Sequence, residues 1–566
     1  MKRKVIIAAA CLVGLIVGVI GWTIITSTNS NDPIENLTAI NIEYLDENID
    51  TTNAIALTGS NSVTTISTSG TYLLSGDFTN GIIIDAKDAV VYLVLNGANI
   101  SSQNGAAIYA PKSDTLYIAA TKETTNIISD ASVYSEAYGN EDIDAAIYTK
   151  GNLAFAGDGV ISISGNSNHA IHGKDYIQIL SGTLNIESAN DSIVGKDYVA
   201  MKNGEVVIKS SSDGIKSTND EESYGQIVID GGTLTIESTG DAINSTDTIS
   251  ITDGELSLET GGGAKITNNS TEWGRWSSPE SKAANTSAKG LKAEKSIIMT
   301  GGKLSFNTSD DAIHSNNSIQ IDDGIINIKT GDDAIHADTS IRINGGKIDI
   351  AQSHEGIESS YIIINGGDIK IIDDDDGLNA SGGNDSSSLN GRAEQNNFTS
   401  STGKLVINGG KLHVISDGDG LDANGSIEMT GGIVYVDGPT NDGNGALDYD
   451  DSFNISGGAL VAAGSSGMLQ SASSTSSQNT VAIVFASAQA ANSNFKFTDS
   501  SGNTIIDYSP SKQYASIVIS APDIKKGSTY TASVDDTTTI SIEVNNILTN
   551  YGTDNRSGNM PGGGRR

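Results

Sequence analysis

The chain has 566 residues, with 69 Asp plus Glu against 33 Lys plus Arg and a formal net charge of -36. Phosphate binding needs basic surface, so this balance argues against nucleic acid and favours cations, or a polymer held through cations. Cys11 is the single cysteine, which rules out an intramolecular disulfide, and 64 Gly with only 7 Pro indicate many turns between strands rather than a Pro-rich linker.

Lys2-Arg3-Lys4 precede an apolar run from Val5 to Ile25. A basic flank before an apolar core is the export pattern, and at about 1.5 Å rise per residue the run is long enough to span a bilayer. The preferred reading is an uncleaved membrane anchor helix over residues 1–25, with everything after Ser27 outside the cell. A cleaved signal with a secreted product is one alternative. A lipoprotein through Ala8-Ala9-Ala10-Cys11 is another, weakened because the apolar run continues past Cys11. Residues 26–50 are polar and read as a stalk.

From about Thr71 the chain repeats a unit of β-rich run, glycine turn, β-rich run and polar corner. Ile227-Val228-Ile229, Gly231-Gly232 and Leu234-Thr235-Ile236 form one such unit, and Ile341-Arg342-Ile343, Gly345-Gly346 and Ile348-Asp349-Ile350 another. Period-two alternation marks strands, and the Gly pairs mark turns. The corner carries a small-apolar dipeptide, as in Ala170-Ile171, Ser192-Ile193, Gly214-Ile215, Ala312-Ile313, Ala334-Ile335 and Gly356-Ile357, with clean spacings of 22 residues. Polar insertions at Asn268–Ala288 and Ser381–Ser401 lengthen two gaps. The period is too short for a propeller blade, and the leucine-rich pattern is absent. The expected class is all-β: a parallel β-helix over residues 51–463, in which coils of about 22 residues stack at about 4.8 Å. Roughly thirteen coils make a rod of about 60 Å at that spacing. Residues 464–545 lose the corner motif and read as a β-rich cap, and residues 546–566 read as a disordered tail.

Residues one period apart sit above one another in such a fold. The position before the corner dipeptide reads Asp191, Asp213, Asp241, Lys289, Asp311, Asp333, Glu355, Asp376 and Asp419; the position after it reads Lys216, Asn244, Lys292, His314, His336, Glu358, Asn379 and Asp422. Two unit charges about 5 Å apart repel by about 3 kcal/mol at an effective dielectric of 20, so stacked carboxylates call for a cation. Calcium, which takes six to eight oxygen ligands, is the expected cofactor. The competing reading is that Asp favours corners because its side chain bonds local backbone. Of the 6 histidines, His314 and His336 share a row. Zinc needs about four convergent ligands, so a polar surface ladder is the expected role.

The blocks "GDDAIHADTSIRINGGKIDI", "SHEGIESSYIIINGGDIKI" and "DDDDGLNASGGND" resemble the carbohydrate-binding domain family of clostridial surface proteins. The likeness runs from about Ser67 to Val534. It implies a right-handed parallel β-helix with bound calcium, similar in fold to family 9 polysaccharide lyases, that binds cellulose and acidic glycans such as the pectin polygalacturonate. Carried onto this chain, it implies calcium ligands among Asp310, Asp311, Asp332, Asp333, Asp338, Glu355, Glu358, Asp375, Asp376, Asn379 and Asp385. The row positions Asp419 and Asp422 extend that set.

Trp273 and Trp276, with Arg275 between them, are candidates for stacking on sugar rings, against the plainer reading that they pack their insertion on the rod. The enzymatic alternative is a calcium-dependent β-elimination needing a base beside the uronate carbon. Lys216, Lys289 and Lys292 are its candidates, although a lysine that merely offsets the acidic row is favoured. A monomeric surface adhesin or spacer is the third reading.

Overall fold

The computed structural model describes residues 36–135, 142–265, 287–381 and 403–552. Among these residues there are 49 strands and no helix. No helix of the described residues is long and apolar enough to cross a membrane, and the apolar segment 5–25 lies outside them.

The repeat closes into a parallel β-solenoid with three faces. One coil contributes Ser318–Ile321 to the first face, Ile325–Thr330 to the second, and then Ile335, which opens Ile335–Ile343, to the third. Each pairs in parallel with its counterpart one coil away: Ile319 with Ile341, Ile326 with Ile348, and Ile335 with Ile357. The turn between the first two faces needs a left-handed residue, which a Cβ would strain. Glycine supplies it, as at Gly232 and Gly346, both with φ of 86°.

The period-two pattern sends alternate residues inward. On the first face Ile177, Val199, Ile227, Ile249, Ile297 and Ile319 stack in continuous register as a buried ladder. The two insertions leave this register intact. Asn244 pairs directly with Lys292, and Leu378 with Leu421, so the strands on either side of each insertion are neighbouring rungs.

At the C-terminal end the pairing changes hand. Ala459–Gly464, the last coil strand of the second face, pairs antiparallel with Tyr514–Ser520, which pairs antiparallel with Thr480–Gln489. A separate four-stranded antiparallel sheet packs beside it around Phe495, Phe497 and Tyr530.

Residues 36–50, which the sequence alone presents as part of a polar stalk, lie in extended form across the first face. The Leu37 N–H donates to Gln320 Oε1 (2.8 Å), Ile40 N–H to Ser250 Oγ (3.1 Å) and Leu45 N–H to Gln178 Oε1 (2.8 Å). Gln178 and Gln320 are five coil steps apart through Ala200, Val228, Ser250 and Ile298. Five steps of about 4.8 Å make about 24 Å, and the eight residue steps from Leu37 to Leu45 reach about 26 Å when extended. The strap therefore runs antiparallel to the direction in which the coils stack. Tyr44, Leu45 and Ile49 pack on Tyr117, Ala154 and Leu180, which gives this segment an apolar anchor the stalk reading lacked.

Candidate functional site

The corner between the second and third faces holds both polar rows. The short corner brings residue i and residue i+3 together, as the contacts Lys216 Nζ–Asp213 Oδ2 (2.9 Å), His314 Nδ1–Asp311 Oδ2 (2.8 Å) and His336 Nδ1–Asp333 Oδ2 (3.4 Å) show. The result is a polar corridor along the rod, two side chains wide.

The first row has a structural task. Asp191, Asp213, Asp241 and Asp311 each use Oδ1 to accept the backbone N–H of the row residue one coil on, at 3.0, 2.9, 2.8 and 3.2 Å. Asp376 and Asp419 do the same to Asp419 and Gly445, both at 2.6 Å. Corner aspartate is thus explained by backbone bonding, but for one oxygen only. The second oxygen faces the corridor. Where Lys289 occupies the row it cannot accept, and the Asp311 N–H turns to Asp310 Oδ1 instead (3.0 Å).

The corridor has two electrostatic halves. In the earlier coils ammonium groups meet the second oxygens. Lys216 reaches Asp213, Lys292 stands 3.7 Å from Asp241 Oδ2, and Lys289 Nζ lies 2.9 Å from Asp310 Oδ1 and 2.5 Å from Asp311 Oδ2. Lys289 is only 1% exposed, so the offsetting lysine expected at the surface is in fact buried. Burial works against its charge, but Asp311 and Asp310 outweigh that and hold its pKa above the ordinary value. Burial likewise opposes Lys216, and Asp213 again prevails in the upward direction. Both lysines are thereby kept protonated, the opposite of what a β-elimination base requires.

The later coils lack such partners. Among the described residues, no Lys or Arg forms a salt bridge with Asp333, Glu355, Asp376, Asp419 or Asp422. Burial pushes Asp376 up to about 7, with Asp375 adding to it, and Asp422 up to about 8, with Asp376 and Asp419 adding to it. Asp419 rises to about 6, again chiefly by burial. Glu355 is pushed well above the ordinary range by burial and then by Glu358, Asp333 and Asp376. Two oxygen sources here are orphaned. Asn379 gives its Nδ2–H to Glu355 Oε2 (3.0 Å), while its Oδ1 is buried without a hydrogen-bond partner. The carboxyl oxygens of Asp373 are also buried without a well-formed hydrogen bond, and burial raises that group to about 8 against the opposing pull of Ser416 and Lys512.

Between the halves stands His336. Its ring stacks on His314 with centroids 5.0 Å apart, and both are buried, contrary to the surface ladder expected from sequence. Inward placement follows from the convergence of acids on them. His336 Nδ1 is 2.9 Å from Glu358 Oε2, and Nε2 is 3.3 Å from Asp338 Oδ1. Burial opposes the imidazolium, but the bonds to Asp333, Asp338 and Glu358 raise it well above its usual value.

Two clusters of the corridor bring three ligand atoms within 4.8 Å of one another: Asp310, Asp311 and Asp332, and Asp333, His336 and Glu358. The first contains the Lys289 ammonium's partners; the second is built around an imidazole. Asp375 lies to the side, half-exposed, with its Oδ2 3.6 Å from His354 Nε2. Ser381 Oγ, absent from the sequence-derived set, donates to Glu358 Oε1 at 3.0 Å. Asp385, Trp273, Arg275 and Trp276 lie outside the described residues.

Residues 60–334 match the model of a family described as carbohydrate-binding domain-containing protein. A curated protein of Acetivibrio thermocellus (strain ATCC 27405) with the same description is 28% identical over 150 residues, which are 26% of this chain and 52% of that protein. The chain thus spans about half the length of that relative. A solved structure described as the polysaccharide lyase-like protein from C. thermocellum, gadolinium derivative, shares 28% identity at a TM-score of 0.35, covering 38% of this chain and 88% of its own.

Proposed function

We propose, on the premise that residues 60–334 belong to the carbohydrate-binding domain family, that this protein binds polysaccharide outside the cell and that calcium takes part. The observation that carries the calcium reading is the open half of the corridor. Among the described residues its row carboxyls Asp333, Glu355, Asp376, Asp419 and Asp422 form no salt bridge with an ammonium group, whereas the earlier coils place lysines at the equivalent positions. The donor chemistry suits the ion. Glu355, Glu358, Asp376, Asn379 and Asp422 offer oxygen alone, and the orphaned Asn379 Oδ1 is the amide oxygen that a hard cation takes. When bound, calcium supplies a positive centre that a glycan carboxylate can share, which lets a strongly acidic protein hold an acidic polymer.

Acidic glycans such as polygalacturonate are the preferred ligands on that argument, with cellulose as the neutral comparison. Trp273 and Trp276 are proposed to add ring stacking, and the apolar segment 5–25 to hold the protein to the membrane. Pull-down of the full-length protein with polygalacturonate and with cellulose, with and without chelator, tests the reading. Retention of polygalacturonate that chelator abolishes is expected. Equal retention in both conditions would remove calcium from the function, and no retention of either glycan would leave a surface spacer. Absorbance of unsaturated uronides in the same incubations separates binding from β-elimination, for which the protonated Lys216 and Lys289 give no support.

A further inference from the structure

One coil before Asp191, the first aspartate of the row, both row positions hold histidine. His169 precedes the corner dipeptide Ala170-Ile171 and His172 follows it. The corner that brings Asp213 to Lys216 therefore brings His169 to His172, with ring centroids 5.5 Å apart. Asp144 joins them from the preceding coil, where Ala145 is paired with His169. Its Oδ1 lies 2.5 Å from His172 Nδ1 and its Oδ2 lies 3.8 Å from His169 Nε2. One ligand atom from each of the three residues falls within 4.8 Å of the others.

The hydrogen bonding around His169 fixes which nitrogen is free. Its Nδ1 is 3.3 Å from the backbone oxygen of Asp191, which can only accept, so Nδ1 carries the proton. In the neutral ring the Nε2 lone pair is then turned toward the Asp144 carboxylate, and neither atom has a hydrogen to share. A lone pair facing a carboxylate oxygen at 3.8 Å is an arrangement that a cation between them satisfies. A backbone carbonyl orienting a ligating imidazole through its other nitrogen is the usual support of such a ligand. For bonds of about 2.0–2.2 Å to nitrogen and oxygen, the ion takes the place of the proton shared between His172 Nδ1 and Asp144 Oδ1, and that direct contact opens around it. Both histidines are buried, whereas the Asp144 side chain is 32% exposed, so one side of the cluster opens to solvent.

We propose that Asp144, His169 and His172 form a second metal site, for a divalent transition-metal ion of the zinc, cobalt or iron type, with an open coordination position toward solvent. Imidazole nitrogen selects such ions over calcium, which takes oxygen. Two imidazoles and one carboxylate form the three-ligand set that leaves a place for water or substrate. The site is independent of the proposed calcium ladder.

Cobalt(II) titration of the full-length protein in excess calcium tests this, read by the visible absorption of the bound ion and, in parallel, by zinc calorimetry. One site is expected that calcium does not displace. His172→Ala should weaken it at least about tenfold. His336→Ala should leave it unchanged, because His336 belongs to the other histidine cluster. Asp144→Asn keeps the side chain's shape and should weaken the site while thermal unfolding stays as in the parent, which separates loss of a ligand from loss of the fold. Displacement by calcium, loss of the signal in His336→Ala, or full retention in both Asp144→Asn and His172→Ala would overturn the assignment.

Discussion

Asp311 and Asp333 occupy successive rungs of one row, joined by the hydrogen bond from Asp333 N–H to Asp311 Oδ1 at 3.2 Å, and they stand in opposite charge environments. Burial opposes ionisation of both. Lys289 and then His314 overcome it at Asp311 and hold that group well below the carboxylate range, whereas Asp333, with Asp311 and Glu358 as neighbours, is pushed well above it. The boundary between the filled and open halves of the corridor thus falls between two adjacent coils.

Lys289→Met tests the filled half. It removes the ammonium but leaves Asp311 fully buried, and breaking a buried pair from one side costs about 3–5 kcal/mol. The midpoint of denaturant unfolding should fall accordingly. Asp311→Asn added to that variant should recover part of the loss, since Asn keeps the oxygen that accepts the Asp333 N–H. A single variant as stable as the parent would mean that Lys289 does not hold this corner.

The open half should make calcium-free stability depend on pH. Asp376, Asp419 and Asp422 titrate in the fold at about 7, 6 and 8, above the ordinary carboxylate value, so the folded state binds more protons than the unfolded one between about pH 4 and 8. Their effect on stability is most favourable below about pH 4 and is lost as pH rises through 6 to 8. Thermal unfolding without calcium should therefore move to lower temperature from about pH 5 to pH 8. Calcium should reverse that decline at the upper end and do little at the lower, because its ligands must be deprotonated. A melting temperature flat over this interval, with chelator present, would count against the charge deficit.

Asp422→Asn separates repulsion from ligation. Without calcium at about pH 8 the variant should be more stable than the parent, because one of several mutually repelling carboxylates is gone. With calcium the order should invert, and the affinity read by calorimetry should drop about tenfold, or about 1.4 kcal/mol. If the variant were less stable in both conditions, Asp422 would be a packing residue rather than a ligand.

The strap is testable by proteolysis. Gln178 and Gln320 each exchange two hydrogen bonds with its backbone, Gln178 through Leu45 N–H and Glu43 C=O and Gln320 through Leu37 N–H and Leu37 C=O. Replacing both glutamines by Ala should speed cleavage between residues 36 and 50 several-fold and leave the unfolding of the coils almost unchanged. Cleavage rates equal to those of the parent would show that apolar packing of Tyr44 and Leu45 alone keeps the segment in place.

The coil repeat was legible because inward residues recur at a fixed interval. Asp310-Asp311 and Asp332-Asp333 are 22 residues apart, and the structure places them one rung apart. Even Lys289 showed as an interruption of the acidic row, but the sequence could not say that it reaches into the next coil to Asp310 and Asp311. Burial was hidden for a related reason: polar spacing identifies a row, not how deeply its corner is enclosed, so His336 read as a surface residue. The strap was the least legible element. Three of its backbone N–H groups find acceptors between 133 and 283 residues away, on the single polar side chains Gln178, Ser250 and Gln320, which leave no periodic mark on either segment. The cluster around His169 carried a faint signal, histidine at both row positions of one corner, but Asp144 stands one position off the row.

Because the strap runs against the stacking direction, residue 37 emerges beside the coil of Gln320 rather than at the first coil. Tension applied through the chain before residue 36 therefore loads the rod from its flank. It meets the strap's few side-chain hydrogen bonds before it reaches any coil ladder. Peeling residues 36–50 away would pay out about 50 Å of extended chain at about 3.3 Å per residue, with the stacked sheets still whole. Under such a load the strap would come away before any coil ladder is strained.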